Sequence, residues 1–282
     1  MINFILISVA IIALIIGSIT DIKKREVPDW LNYGLIFAAL GIRAIYSAVS
    51  WDWMFFLEGI AGFIIFAAIA FAMFYAGQWG GGDAKLLMGL GALIGLGFDF
   101  TEVPFMLILL FNILIVGGVY GLVWSIALAV RKGKIFSKKF SILLKEKRKW
   151  RLSIWTIGFA LLALDFVFMP VPLKFLTAVF ILIIISGFYL FIFIKIVEEC
   201  CMLKYVKTSQ LTEGDWIAKD IFVKGKRICG PKDLGISKEN IRKLIKLKIR
   251  KILIKDGIPF VPSFLIGYLI TLILGNWLIL FM

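Results

Sequence analysis

From Ile2 to Thr20 the chain carries no charged side chain, and blocks of the same kind recur to the far end of the sequence. A stretch of about 18 or more residues with at most one charge is long enough, as a helix, to cross ~30 Å of hydrocarbon. At that depth every backbone N–H and C=O must find its partner inside the protein, and a helix meets the demand within one segment. Eight apolar segments can be drawn, over residues 2–20, 32–50, 54–78, 84–98, 104–130, 152–169, 173–197 and 258–281. The fourth and sixth are short. The expected fold is therefore an all-α polytopic membrane protein with six to eight transmembrane helices. Composition agrees: 61% of residues are hydrophobic and 18% charged, where a soluble domain is nearer half and a quarter.

Charge placement sets the expected orientation. The formal net charge is +14, but the Lys and Arg residues crowd into a few links between apolar blocks, the positive-inside pattern. Lys23, Lys24 and Arg25 follow the first segment, so that end is expected in the cytoplasm and the N-terminus outside. The link Trp51-Asp52-Trp53 has no basic residue, and the 99–104 link is acidic; both are expected outside. Residues 131–151, dense in Lys and Arg with Glu146 as their one acid, read as a basic cytoplasmic loop. Anionic headgroups are the natural partner of such surfaces, and nucleic acid is not expected. The first segment lacks a basic leader and a small-residue cleavage site, so it reads as a retained helix of a multi-pass protein in the cell membrane.

The domain reading is a transmembrane helical domain over 1–197, a small basic cytoplasmic module over 198–257, and a last transmembrane helix over 258–282. The module is read as an α+β insertion. Residues 216–228 alternate weakly around Lys224-Gly225-Lys226 as a hairpin, Ser237 can cap a helix over 238–251, and Ile252-Leu253-Ile254 reads as a short strand.

Two absences restrict the chemistry. With no histidine, Ser-His-Asp and Cys-His catalysis and His-based zinc sites are excluded. Cys200, Cys201 and Cys229 fit no metal spacing, and no cofactor or metal is expected. Carboxylates in apolar surroundings, by contrast, are costly and call for a reason. By the topology above, Asp52, Asp99, Glu58 and Asp165 belong to the outer half, where Glu58 is placed to pair with Arg43. Asp21 and Asp83 share a cytoplasmic depth at helix ends, while Glu26 and Asp29 lie in the neighbouring link. Asp21 ends a helix, where the dipole disfavours a carboxylate. Two carboxylates at one site share a proton near working pH, so one can activate water while the other donates a proton to a peptide carbonyl. Gly80-Gly81-Gly82, immediately before Asp83, would let an extended backbone approach an unwound junction.

Gly80-Gly81-Gly82-Asp83-Ala84-Lys85 resembles the G-x-G-D-x-K motif of the type IV prepilin peptidase family. Ser18-Ile19-Thr20-Asp21, followed by Val27-Pro28-Asp29-Trp30-Leu31-Asn32, resembles that family's first aspartate motif, and Gly257-Ile258-Pro259-Phe260-Val261-Pro262 resembles the opening of the last helix in archaeal members. The resemblance implies an intramembrane aspartyl endopeptidase. It would cut the short basic leader from prepilin-like or preflagellin precursors at the cytoplasmic face, with Asp21 and Asp83 as the catalytic pair. Gly80, Gly82 and Lys85 would shape the site, and Glu26 and Asp29 would attract the leader. Bacterial members that also N-methylate their product often carry a cysteine-rich module; this chain has no Cys-x-x-Cys pair, so peptidase activity alone is expected. A proton-coupled transporter and a non-catalytic assembly protein are the alternatives. The first would need acids spaced across the bilayer, and the second would tolerate Asp→Asn changes.

Overall fold

The structure, a computed structural model, describes residues 2–98, 103–168, 170–223 and 225–277. Asp99, Met169, Lys224 and the expected end of the last segment at Phe281 lie outside the described residues. In chain order the elements are α1 (Ile2–Lys24), α2 (Asp29–Ser50), α3 (Trp53–Tyr75), α4 (Gly81–Ile94), α5 (Phe105–Arg131), α6 (Gly133–Glu146), α7 (Arg148–Phe168) and α8 (Val171–Val197). There follow β1 (Leu203–Lys207), β2 (Trp216–Ile217), β3 (Ile221–Val223), β4 (Lys226–Cys229), α9 (Lys238–Lys246), β5 (Lys251–Lys255) and α10 (Val261–Leu274). The chain is thus mostly helical, with a small sheet-containing region before the last helix. Among the described residues six helices are long and apolar enough to cross a membrane: α1, α2, α3, α5, α7 and α8 with the turn after it. The fourth apolar segment folds as α4 and the last as α10, each too short for that class.

The chain divides into two compact units. The first comprises Met1–Leu122, Thr208–Arg250 and Gly257–Met282. Its centre is α4, buried on nearly every side through Ala84 and Leu86–Leu93. A helix apolar all round belongs inside other helices, and α2 and α3 pack along it while α1 packs on α10. Glycines set the closeness of α3 and α4. A Cβ on Gly62 would lie 2.3 Å from the Gly91 carbonyl oxygen, and one on Gly91 2.5 Å from that of Gly62. Small residues at such a crossing let two membrane helices approach backbone to backbone. Because the obstacle is main chain, Gly91→Ala is expected to lower stability by about 1–3 kcal/mol, read as a lower apparent melting temperature in detergent.

The far end of α4 is closed by an arginine. Arg43 of α2, 2% exposed, donates to the carbonyls of Leu93, Ile94 and Phe55 and lies over the Phe55 ring. Its Nη1 is 3.9 Å from Glu58 Oε2, so the expected pair forms. For Leu93 and Ile94, at the end of α4, the guanidinium supplies donors that a helix end lacks. Gly59 and Gly95 make the space: a Cβ at either would fall within 2.5 Å of the arginine side chain.

The β3–β4 hairpin is antiparallel, with Ile221 opposite Cys229 and Val223 opposite Lys226. Ser237 caps α9 by accepting from Asn240 N at 3.2 Å. The helix expected over 238–251 stops at Lys246, because Lys248 adopts a left-handed conformation (φ 55°) and the chain turns extended.

The second unit comprises Val123–Lys207 and Lys251–Asp256. Here β5, expected from Ile252-Leu253-Ile254, pairs antiparallel with β1, Tyr205 opposite Leu253. Asp165 is buried in α7 and accepts from Thr177 Oγ1 of α8 at 3.1 Å, so its partner is local. The basic link 131–151 is helical: α5 runs to Arg131, α6 fills the middle, and α7 starts at Arg148. Lys and Arg are good helix formers, and high charge alone does not unwind a segment whose Phe and Leu residues recur at helical spacing.

Candidate active site

Asp21 and Asp83 come from different helices of the first unit and lie within each other's electrostatic field. The first lies in the last turns of α1, and the second is the third residue of α4. Asp21 is 6% exposed and Asp83 half-buried, and their carboxyls are within electrostatic reach of each other.

Local chain geometry explains the approach. After Asp21, α1 closes with Arg25 in a left-handed conformation (φ 60°), its N–H donating to the Asp21 carbonyl at 2.9 Å. That is a familiar way for a helix to end. The link then bends through buried Val27 to Pro28, which stands before the first turn of α2. Val27 lies across Gly82: a Cβ there would be 3.1 Å from Val27 Cβ and 3.3 Å from its backbone nitrogen. The glycine before Asp83 thus admits the chain that follows Asp21. One turn earlier on α1, Gly17 faces Val261, Leu31 and Leu86, from α10, α2 and α4.

Each carboxylate is held by a main-chain donor. Asp83 Oδ2 accepts from Gly80 N at 3.0 Å, the backward reach of an acid in a helix's first turn. Asp21 Oδ2 accepts from Val261 N at 2.9 Å, a first-turn amide of α10. Such amides have no partner within their own helix and favour an anion. The awkward placement of Asp21 at the end of α1 is thereby resolved: another helix presents its positive end. Phe260, Phe264 and the buried Trp79 form an aromatic cluster with centroids 5.4–5.9 Å apart, fastening the start of α10 to the chain just before Gly80.

The glycine run is more ordered than the sequence suggests. Gly81 and Gly82 are the first two residues of α4, and Gly80 is extended before them. The left-handed residue is Gly77 (φ 69°), where the turn from α3 begins. Lys85 Nζ binds Asp29 Oδ1 at 2.6 Å and lies 5.1 Å from the Tyr33 ring centre. The ion pair ties α4 to the start of α2, beside the two motifs. Both partners are substantially solvated, so Lys85→Gln is expected to change stability by less than about 1 kcal/mol, measured by thermal unfolding. Glu26 is exposed on the same link.

Two neighbours escaped the sequence reading. Arg25 acts electrostatically on Asp21, and Tyr120, from α5, lies within the field of Asp21. Arg25 looked like one of three orienting positive charges, and Tyr120 sits in an apolar run with no motif around it. The part of α10 had a signal in the Gly257–Pro262 pattern, but the amide of Val261 as a ligand for Asp21 has none in any side chain.

Comparison with known proteins places these residues in context. Residues 8–122 match the family model of the type IV leader peptidase family. The chain is 44% identical over 94 residues to a preflagellin peptidase of Methanocaldococcus jannaschii, an alignment covering 33% of this chain and 38% of that protein. It is 38% identical over 87 residues to a preflagellin peptidase of Methanococcus voltae, covering 31% and 37%. A third, from Methanococcus maripaludis, is 39% identical over 85 residues, covering 29% and 36%. The chain therefore spans well under half the length of the relatives it matches. The segment that carries the type IV leader peptidase pattern is the one that holds both aspartates.

Proposed function

We propose that this protein is an aspartic endopeptidase of membranes that removes the leader from preflagellin or prepilin-like precursors, with Asp21 and Asp83 as its catalytic pair. The observation that carries the reading is that these two acids, one in each motif, lie in each other's field and each accepts from a backbone amide. The relatives' names supply the substrate class.

The chemistry needs no other group. Two carboxyls in each other's field favour holding one proton between them, since ionising both brings like charges together. The ionised carboxylate takes a proton from a water molecule while the water oxygen attacks the peptide carbonyl carbon. The protonated partner gives its proton to the carbonyl oxygen. Collapse of the tetrahedral gem-diol breaks the C–N bond: the proton taken from water passes from the first acid to the leaving amine, and a diol hydroxyl returns a proton to the second as the C=O bond re-forms. Each acid ends in the state in which it began. Gly80 and Gly82 keep side chains away from this point, and Lys85 holds Asp29 and so the start of α2 in register. Glu26 and Asp29, exposed on the link after α1, offer negative charge to a basic leader. Lys23, Lys24 and Arg25 put this end on the cytoplasmic side and the N-terminus outside, by the positive-inside rule. No N-methyltransferase activity is assigned.

The direct test is to incubate purified protein, in detergent or vesicles, with a preflagellin precursor and follow loss of the leader by mass. Cleavage at the junction of the basic leader and the apolar helix supports the proposal. An intact precursor with a correctly folded protein and a panel of pilin-like substrates refutes it.

A further inference from the structure

We propose that the outward face of α6 is a binding surface for the anionic headgroups of the membrane leaflet it borders. This inference concerns the second unit alone and does not depend on the peptidase reading.

The helix has two unlike sides. Phe136, Phe140 and Leu143 follow one another at helical spacing, with Leu144 beside them, and all four are half-buried. Phe136 stacks on Phe140 and meets Phe193 of α8 edge-on, with centroids 5.6 and 5.4 Å apart. This side is already occupied, by α7 and α8. The opposite side carries Lys134, Lys138 and Lys145 in one stripe, at positions i, i+4 and i+11. Next to that stripe stand Ile135 and Ile142, two turns apart, 57% and 55% exposed. No residue of α6 is fully buried. A face with exposed isoleucines beside lysines is suited neither to water nor to hydrocarbon alone. It fits the boundary between them, with the aliphatic groups toward the acyl chains and the ammonium groups among phosphates.

The neighbouring elements hold α6 at that boundary. It joins the end of α5 at Arg131 to the start of α7 at Arg148, both helices long enough to cross a membrane. Lys132 Nζ donates to the Cys200 carbonyl at 2.8 Å, just past the end of α8. The ends of three apolar helices thus converge around α6. Arg148, Lys149 and Arg151, with Trp150 67% exposed among them, continue the basic border into α7. From 131 to 151 Glu146 is the one acid to offset this charge. Charge complementarity therefore selects anionic over zwitterionic headgroups.

The test uses the full chain in nanodiscs of phosphatidylcholine, with and without phosphatidylglycerol, and follows amide hydrogen exchange of residues 134–146. Exchange is expected to be at least about tenfold slower with the anionic lipid, since each basic side chain near such a surface adds to attraction. Added salt should collapse the difference in the unaltered protein. The Lys134→Gln/Lys138→Gln/Lys145→Gln variant should lose it. A control of equal charge loss, Lys232→Gln/Lys238→Gln/Lys246→Gln, should keep it. Equal exchange in both lipids, a difference insensitive to salt, or loss of the difference in the control overturns the proposal.

Discussion

Asp21→Asn and Asp83→Asn are each expected to reduce leader cleavage by at least about 10³-fold, the upper range for loss of a positioned acid or base. Asparagine keeps the shape of aspartate and retains a carbonyl oxygen. At position 21 that oxygen would still accept from the Val261 amide, and at position 83 from the Gly80 amide, in the places where the carboxylates now do. Stability should therefore move by only about 1 kcal/mol, the scale of one hydrogen bond. What asparagine cannot do is hold or exchange the shared proton. Because the two acids act as one unit, the double variant should be no slower than the worse single one. Melting curves in detergent and cleavage rates on the same samples separate the two effects. A single Asp→Asn variant that keeps a tenth or more of wild-type cleavage would remove the mechanism.

Arg43→Met should do the reverse, damaging the fold far more than the chemistry. The guanidinium is buried and meets the carbonyls of Leu93, Ile94 and Phe55 as well as Glu58. Methionine fills some of the space but leaves the Leu93 and Ile94 carbonyls without this donor and Glu58 without its counter-charge. A buried hydrogen-bonding group left unpaired costs about 1–3 kcal/mol, so the two carbonyls and the stranded Glu58 together are expected to cost about 3–5 kcal/mol. For a chain of this size the corresponding drop in apparent melting temperature is roughly 10 °C. Adding Glu58→Gln should restore part of the loss by removing the stranded charge, while the open carbonyls keep the rest. Ile94 lies about 16 Å along α4 from Asp83, at 1.5 Å per residue. Molecules that remain folded should therefore cleave at near the wild-type rate. If Arg43→Met melted normally, the closing of α4 by this arginine would be wrong.

Much of the architecture was legible because membrane helices advertise themselves. A charge-free run such as 2–20 has few alternatives in lipid, and the Arg43–Glu58 pair followed from two charges in adjacent segments at like depth. The hairpin at 221–229 and the Ser237 cap are local features with local signals. Elsewhere local signals fall short. The sequence marks 131–151 as a basic link, and the helix inside it packs through Phe136, Phe140 and Leu143. The helix from Ser237 was drawn too long because nothing in Lys246-Leu247-Lys248 announces a left-handed residue. The strand β1 went unnoticed, since its pairing with β5 joins segments far apart in the chain.

From sequence alone came the helical membrane class, the absence of histidine chemistry, and two aspartates in motifs resembling one peptidase family. Those follow from composition and local order, which the chain carries residue by residue. Only the folded structure brought Val27 across Gly82, drew Asp21 and Asp83 into each other's field, and set the first amide of α10 on Asp21, 240 residues away in the chain. A backbone amide is the same in every residue, so no side-chain pattern can say which one will meet a given carboxylate; that is decided by how the helices pack.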